Sequence, residues 1–171
     1  LWEPRGDDAR HHEPATSGYE ALVSVEDPTR VLAFERYTNG DSGLDYHMKR
    51  PSHAELAGAL QESGLNMKRT FISKFVDLPN YGWWSRPERQ PIFDEPGALV
   101  MFLGMNFAGD SEREAFIDLS GAHAEYCLGA EPETLIYSGG LSVPDAAFGI
   151  DVEADLVFVM ACTDMAAMEK H

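Results

Sequence analysis

Several polar side chains stand alone inside apolar stretches, where they could act on a bound molecule. Asn106 is the one polar side chain on its face of an apolar run, and histidines occupy helix faces at His47, His123 and His171. An imidazole accepts a proton near neutral pH, and a carboxamide donates hydrogen bonds to a developing oxyanion. The alternatives are structural: Asn106 could close its strand by bonding local backbone, and each histidine could be a hydrogen-bonded core residue.

Metal and cofactor sites are not predicted. His11 and His12 adjoin Glu13, but adjacent helical side chains diverge by about 100° and do not chelate together. Cys127 and Cys162 lie in apolar periodic segments without CxxC or Cys/His ligand spacing, which indicates two buried free thiols. The sequence contains no phosphate-binding glycine loop, nucleophile elbow or dinucleotide fingerprint. We therefore expect neither a metal nor a cofactor.

The arrangement of elements follows from an internal repeat. Glu131–Asp145 (EPETLIYSGGLSVPD) repeats the skeleton of Glu13–Asp27 (EPATSGYEALVSVED), with Glu-Pro, Thr, Tyr, Ser-Val and Asp in register. A repeat of this kind indicates that one unit was doubled. Tyr137 shares its repeat position with Tyr19, so a common packing role explains it at least as well as proton transfer does.

Hydrophobic periodicity places similar elements in both units. In the first unit we predict an extended lead-in that ends in one helical turn before Glu13, followed by a hairpin of Tyr19–Val25 and Arg30–Thr38. A helix then begins after Asn39, is split by Pro51 and ends at Gly64. A strand over Met67–Leu78 follows it. The second is predicted to contain a strand over Ala98–Phe107, a helix capped by Ser111 and ending at Gly129, a hairpin of Leu135–Val143 and Leu156–Thr163, and a helix from Asp164.

Two of these elements carry finer predictions. The run Ala98–Phe107 is apolar on both faces, which is typical of a strand covered on both sides. The helix after it has one predicted core stripe, formed by Phe116, Leu119, His123, Tyr126 and Cys127.

The units are bounded at residues 1–80 and 97–171, with a connector at 81–96. The connector region is aromatic and has no clear period, and its Trp84 could cover a planar substrate or pack the join between the units. Compared with a complete unit, the first unit lacks an N-terminal strand and the second lacks a C-terminal part. Each unit contains the part that the other lacks. We therefore predict an α+β fold built from tandem ferredoxin-like βαββαβ units with antiparallel sheets.

The same residues carry a family resemblance. In the first unit it lies in HHEPATSGYEALVSVEDPTRVLAFERYTNGDSGLDYHMKRPSHAEL, with Glu-Pro before a strand, a strand ending in FERY, and a helix carrying His47. In the second it lies in HAEYCLGAEPETLIYSGGL and ADLVFVMACTDMAAMEKH, where His171 takes the place of His47 and the FERY charges are lost. The chain resembles the antibiotic-biosynthesis-monooxygenase-type domain of the dimeric α+β barrel superfamily, in tandem.

The resemblance implies a barrel of packed antiparallel sheets with an apolar pocket between sheet and helices. It implies a cofactor-independent monooxygenase-like enzyme, or a related isomerase or cyclase, acting on a small aromatic, quinone-like or polyketide compound. The residues expected to be catalytic are Asn106, His47 and His171. Those expected to bind the substrate are His123, Tyr137, Tyr37 and Trp84.

Two other functions stay open. One is a non-catalytic barrel that binds a small hydrophobic ligand, or a structural barrel whose interior is filled by Met101, Met105, Phe158 and Met160. The other is haem degradation, which is disfavoured because His47 and His171 replace the tryptophan that haem-degrading relatives carry on the second helix.

Composition restricts the partners. Thirteen basic and 29 acidic residues give a net charge of −16, which repels nucleic acid and anionic lipid. No apolar run is long enough to cross a membrane, and no signal peptide is visible, so we expect a cytoplasmic protein. The expected partner is a small hydrophobic or aromatic molecule, with a homodimer as an open alternative.

Overall fold

The computed structural model describes residues 2–65, 68, 72–86, 88 and 95–171. It contains two compact units, Leu1–Arg69 and Thr70–His171, which we call unit 1 and unit 2. Both contain helices and an antiparallel sheet, so the predicted α+β class is confirmed. Within the described residues both sheets are open, and no helix there is long and apolar enough to span a membrane.

Unit 1 is a two-stranded hairpin with three helices. Its elements are α1 (Trp2–His12), β1 (Thr16–Val23), β2 (Val31–Tyr37), α2 (Asp41–Met48) and α3 (Pro51–Glu62). The helix before Glu13 is much longer than the predicted last turn, because Pro4 lies in the first turn, where an amide hydrogen is not needed for an intrahelical bond. Glu13 and Pro14 end α1 as predicted, and the hairpin pairs Ala21 with Ala33.

Pro51 separates α2 from α3, as the sequence predicts. It is the first residue of α3, and Arg50 before it is extended, the conformation that a following proline favours. Arg50 then donates from Nε to Asp8 Oδ2 at 3.0 Å, and Ser52 also bonds that carboxylate. Asp8 therefore joins α1 to the start of α3.

Unit 2 is a four-stranded antiparallel sheet in the order β3-β5-β6-β4. Its elements are β3 (Phe75–Trp83), β4 (Leu99–Met105), α4 (Asp110–Ala130), β5 (Thr134–Ser142), β6 (Leu156–Cys162) and α5 (Met165–Lys170). Every residue of β6 is buried, whereas no residue of β4 is. The prediction that β4 is covered on both faces holds only in part: Met101 and Met105 pack on one side of the sheet and Val100 and Phe102 on the other, but the strand lies at an edge of the described sheet and stays partly exposed.

The two faces of this sheet form separate hydrophobic clusters. Tyr137, Phe158 and Met160 belong to the cluster that contains Ala124 and Cys127 of α4, which we call the helix face. The opposite face holds a second cluster, formed by Leu135, Ile136, Val157, Val159 and Ala161. Side chains alternate between the two faces along β5 and β6, so the helix face carries Tyr137 and the polar side chains beside it, whereas the buried cluster on the opposite face is aliphatic.

Helix α4 is turned differently from the predicted stripe. Of the predicted stripe, Cys127 is buried and Phe116 packs against the core, but Leu119 is 74% exposed and Tyr126 is 60% exposed. Ser120 and Ala124, outside the predicted stripe, are buried. Small residues of α4 face the sheet because the large side chains of Tyr81 and Tyr137 project from the sheet and contact Ser120. The predicted Ser111 cap is also absent, since α4 begins at Asp110 after Gly109 and has no side-chain cap.

A bulge in β3 brings one of those tyrosines inward. The register runs from Asp77 opposite Gly140 to Gly82 opposite Ser138, so extra residues of β3 loop out between them. Tyr81 is buried there, at 4% exposure. The strand predicted over Met67–Leu78 is therefore displaced towards the C-terminus and runs past residue 80 into the predicted connector. Part of that prediction and most of 87–94 lie outside the described residues.

Gly82 is the position where this bulge meets β5. It has φ +66°, and a Cβ added there would lie 1.7 Å from the carbonyl oxygen of Tyr137. Gly149 is a matched control, since it has φ +65° with nothing within 4 Å of the added Cβ.

We predict that Gly82→Ala lowers the free energy of unfolding by about 1–3 kcal/mol more than Gly149→Ala does. Both variants incur the cost of an L residue at positive φ, and only the first also forces β3 away from β5. Urea titration followed by circular dichroism measures the difference. Equal losses for the two variants would show that β3 and β5 are not in this close contact.

Candidate functional site

The repeated glutamate lies at a helix–strand junction in both units and holds a histidine there. Glu13 Oε2 lies 2.9 Å from His47 Nδ1, and Glu131 Oε2 lies 2.7 Å from His171 Nδ1. The two histidines come from α2 and from the end of α5, the helices that follow the second strand of each hairpin. The repeat therefore positions a Glu–His pair twice.

Local structure explains why the glutamate is so well placed. In each unit the threonine amide donates to the glutamate carbonyl three residues earlier, at 3.0 Å for Thr16 and 3.1 Å for Thr134. The threonine hydroxyl then donates to the glutamate Oε2, at 2.6 Å and 3.2 Å respectively. The Glu-Pro-x-Thr sequence thus forms a turn whose own side chain fixes the carboxylate.

In unit 1 this pair is buried with a permanent cation. His47, Arg5 and Glu13 are 0%, 1% and 3% exposed. Arg5 Nη2 lies 2.6 Å from Glu13 Oε1 and 3.0 Å from His47 Nε2. With a neutral imidazole, Nδ1–H donates to Glu13 and Nε2 accepts from Arg5, whose Nε is buried without a hydrogen-bond partner among the described residues. Neither ring nitrogen of His47 is then left for a substrate.

The titration behaviour of unit 1 agrees with this assignment. Burial lowers the pKa of His47. Burial alone would raise the pKa of Glu13, but hydrogen bonds from Thr16, His47 and Arg5 outweigh it and lower that pKa.

Tyr37 lies with its ring 5.4 Å from that of His47, and its hydroxyl donates to Glu35 at 2.7 Å. Burial and this carboxylate raise the pKa of Tyr37.

In unit 2 the corresponding pair is reachable from solvent and has different neighbours. The side chains of His171 and Glu131 are 16% and 21% exposed. Cys127 Sγ lies 3.5 Å from His123 Nε2 and 3.9 Å from His171 Nδ1. Burial raises the pKa of Cys127 to about 12, so the free thiol is protonated. Burial alone would raise the pKa of Glu131, but hydrogen bonds from His171, Cys127 and Thr134 together outweigh it and lower that pKa.

The register of the repeat pairs these neighbours with those of unit 1. His123 and Cys127 stand eight and four residues before Glu131, as Arg5 and Ala9 stand before Glu13. Arg5 lies 4.8 Å from the ring centroid of Tyr19, and the His123 ring lies 5.7 Å from that of Tyr137. An imidazole and a thiol therefore replace a guanidinium and a methyl group beside equivalent tyrosines.

Tyr137 is joined to a short chain of hydroxyl groups. Ser120 Oγ lies 3.1 Å from Tyr137 OH and 2.7 Å from Tyr81 OH. Burial raises the pKa of both tyrosines. Tyr137 also lies 6.0 Å from the His171 ring, so it borders the His123–Cys127–His171–Glu131 group, which we call the junction cluster.

Arg86 holds the backbone under this cluster, and sequence reasoning missed it. Its Nε donates to Thr134 O at 2.6 Å, and its terminal nitrogens donate to the carbonyls of Leu128 and Cys127, both at 2.9 Å, and of Glu131. These bonds satisfy carbonyls at the end of α4 and fix the turn that carries Glu131. A single arginine in an aperiodic, proline-rich stretch gives no positional signal.

Asn106 lies away from the junction cluster. It follows β4, where Met105 pairs with Leu156 at the start of β6, while Thr134 pairs with Cys162 at the other end. Six residue steps along a strand span about 20 Å. The Asn106 amide donates to Glu153 O at 3.3 Å, and its oxygen accepts from Asp155 N at 3.1 Å. The side chain thus bonds local backbone, and it does not share a centre with His171.

The two connector tryptophans separate onto opposite faces of the sheet. Trp83 stacks on Tyr137 with ring centroids 5.8 Å apart and packs against the helix face. Trp84 packs against the aliphatic face and donates from Nε1 to Asp77 at 3.1 Å. The structure therefore brings together His171, His123 and Tyr137. Trp83, rather than the predicted Trp84, lies beside them by stacking on Tyr137.

Comparison with known proteins supports the fold. No family model matches the chain, and no curated protein sequence matches it either. A crystal structure of a candidate monooxygenase from Lactobacillus acidophilus superposes with a TM-score of 0.68. The match covers 99% of this chain and 70% of that chain at 12% sequence identity. At that identity the likeness establishes a shared α+β fold.

The equivalent glutamates allow a matched test of the two units. We predict that Glu13→Gln destabilises unit 1 by about 3–5 kcal/mol, because it leaves the Arg5 guanidinium buried without a counter-charge. Glu131→Gln should cost unit 2 about 1 kcal/mol or less, because His171 can stay neutral and the pair is partly hydrated. Hydrogen–deuterium exchange of the β1–β2 and β5–β6 peptides measures each unit separately. Similar losses in both units would contradict the buried ion pair.

Unit 1 should also lose stability in mild acid. Burial holds the pKa of His47 below its ordinary 6.5, so the unfolded chain binds a proton first as the pH falls. Stability is complete above about pH 6.5 and declines below it by at most about 1.4 kcal/mol per pH unit. Glu13, whose pKa is lowered from 4.5, adds a second loss once the pH falls below that value.

The matched variant for this profile is His47→Gln, whose carboxamide can donate to Glu13 and accept from Arg5. It should abolish the loss that begins near pH 6.5 and keep the loss below about pH 4.5. Exchange rates of the β1–β2 peptides between pH 4 and 8, corrected for intrinsic exchange, provide the readout. An unchanged profile in the variant would remove His47 as the titrating group.

Proposed function

We propose that the chain is a cofactor-independent monooxygenase-like enzyme of the antibiotic-biosynthesis-monooxygenase type. Its substrate would be a small aromatic, quinone-like or polyketide compound held in an apolar pocket between sheet and helices. The fold shared with a candidate monooxygenase supports this class. The observation that carries the proposal is the partly exposed His171–Glu131 pair.

His171 is the proposed general base. When its Nδ1–H donates to Glu131, the Nε2 lone pair is free to take a proton, and the carboxylate stabilises the imidazolium that forms. Glu131 is held in turn by Thr134 and by the Arg86 bonds to its turn. His47 has a similar partner but is buried with both nitrogens bonded, so unit 2 is the proposed working unit.

The reaction needs a substrate with an acidic C–H group, such as the methylene of an anthrone. His171 removes one proton to give an enolate, which transfers electrons to molecular oxygen. One oxygen atom becomes the new carbonyl group, and the other leaves as water with the two hydrogens of the methylene. Tyr137 and His123 border the base and are the proposed substrate contacts, with Trp83 stacking behind Tyr137.

We predict that the protein consumes oxygen when it is given anthrone or a reduced quinol, and that His171→Gln slows turnover by about 10²-fold or more. Glu131→Gln should slow it less, because the amide oxygen still accepts from Nδ1. His11→Gln, an exposed histidine of α1, is the matched control and should leave turnover unchanged. An oxygen electrode with product chromatography measures both sides of the reaction.

Two outcomes would overturn the assignment. Oxygen uptake that survives His171→Gln removes His171 as the base. Uptake that is lost in Asn106→Ala but kept in His171→Gln moves the chemistry to the opposite end of the sheet.

A structural or ligand-binding role is the second candidate, and one observation favours it. The side chains expected to fill the interior do pack in one cluster: Phe158 and Met160 are buried in it, and Met101 and Met105 pack against them. Thermal shift measurements with the same compounds distinguish the readings. Stabilisation without oxygen uptake indicates a binding protein, and no stabilisation indicates a structural domain.

A further inference from the structure

The junction cluster of unit 2 brings together two imidazoles and a thiol from α4 and the end of α5. The ligand atoms of His123, Cys127 and His171 all lie within 4.8 Å of one another. We propose that these residues form a binding site for zinc or another borderline-soft divalent transition metal, with Glu131 or a water molecule as the fourth ligand.

The two distances from Cys127 are close to those of a tetrahedral centre. Ligand atoms about 2.0–2.1 Å (nitrogen) and about 2.3 Å (sulfur) from zinc stand about 3.3–3.6 Å apart. Cys127 Sγ and His123 Nε2 are 3.5 Å apart, and Cys127 Sγ and His171 Nδ1 are 3.9 Å apart. The ligand nitrogens of His123 and His171 lie within 4.8 Å of one another, so His171 must move towards His123 by up to about 1.5 Å to close the set.

Helix geometry supplies two of the ligands already aligned. His123 and Cys127 are four residues apart on α4, so their side chains project from the same face of one helix. The carbonyl of Cys127 is held by Arg86, and Glu131 follows at the end of the helix. The two ligands on α4 are thus positioned before a metal binds, and the third ligand, His171, is supplied by the end of α5.

Unit 1 shows what a cation does at the equivalent place. There the Arg5 guanidinium lies 2.6 Å from Glu13 and 3.0 Å from His47 Nε2, so a permanent positive charge joins the carboxylate and the imidazole. Unit 2 has His123 at the position of Arg5 and Cys127 at the position of Ala9. The guanidinium is replaced by two metal ligands, and a metal ion would restore the missing charge.

Metal binding does not depend on the proposed oxygenase reaction. It rests on the ligand set alone and can be measured without any substrate. If both hold, they compete, because a metal on His171 occupies the side chain that would act as the base. Zinc would then inhibit oxygen uptake in proportion to its occupancy.

The direct test is titration of the full chain with Co²⁺, followed by displacement with Zn²⁺. We expect one ion per chain, a thiolate-to-cobalt charge-transfer band, and visible bands of tetrahedral intensity. Calorimetry with Zn²⁺ in buffers of different ionisation enthalpy should show release of about one proton, because the thiol must ionise to bind. Binding without the thiolate band would overturn the proposed ligand set.

The two cysteines provide a matched control. Cys127→Ala should abolish the thiolate band, whereas Cys162→Ala, which removes a thiol that is equally buried but outside the cluster, should retain it. His123→Gln alters an exposed side chain and should weaken binding at least tenfold without unfolding the protein. Circular dichroism establishes that each variant is folded. Equal effects of the two cysteine variants, or no effect of His123→Gln, would overturn the site.

Discussion

The carboxylate at the helix–strand junction is the interaction on which both units depend. Glu13 and Glu131 each end a helix, accept from the threonine that starts the next strand, and hold a histidine from a later helix. One side chain thereby connects three elements that are distant in sequence. Because a buried carboxylate must be compensated, the neighbours that compensate it decide what each unit can do.

The two units compensate this carboxylate in different ways. In unit 1 Arg5 supplies a permanent charge and also uses the second nitrogen of His47, so no group is left to exchange a proton with solvent. In unit 2 the compensation comes from His171 and from neighbours that can lose protons or bind a metal. Replacing Arg5 and Ala9 by His123 and Cys127 converts a structural ion pair into a cluster with unused binding capacity.

Much of the fold could be predicted from the sequence, because it follows from local signals. Hydrophobic alternation predicted both hairpins, and Pro51 predicted the break between α2 and α3. The edge position of β4 could not be read from its apolar pattern, since that position depends on strands that pair from elsewhere in the chain. The stripe of α4 was misplaced for the same reason: Ser120 faces inward only because Tyr81 and Tyr137 approach it.

The site was less predictable than the fold, although part of its signal was present. Glu13 and His47 are 34 residues apart, and Glu131 and His171 are 40 apart, so unequal loops hide the repeated pair. Glu-Pro was interpreted only as a helix stop. The spacing of His123 and Cys127 by four residues is a ligand spacing on a helix, although the cysteines were predicted to lack Cys/His ligand spacing.

The two units differ in the charge of the second strand of their hairpins. In unit 1 the strand β2 keeps Glu35 and Arg36, which bond Tyr37 and Ser17, and much of what the unit buries around His47 is polar. In unit 2 the strand is apolar and wholly buried, and Met160 and Phe158 build a core on the helix face. With that core supplying much of the stability of unit 2, the Glu131 carboxylate can stay partly hydrated without a buried counter-charge. The same helix–strand junction is therefore buried and charge-compensated in unit 1 and partly exposed in unit 2.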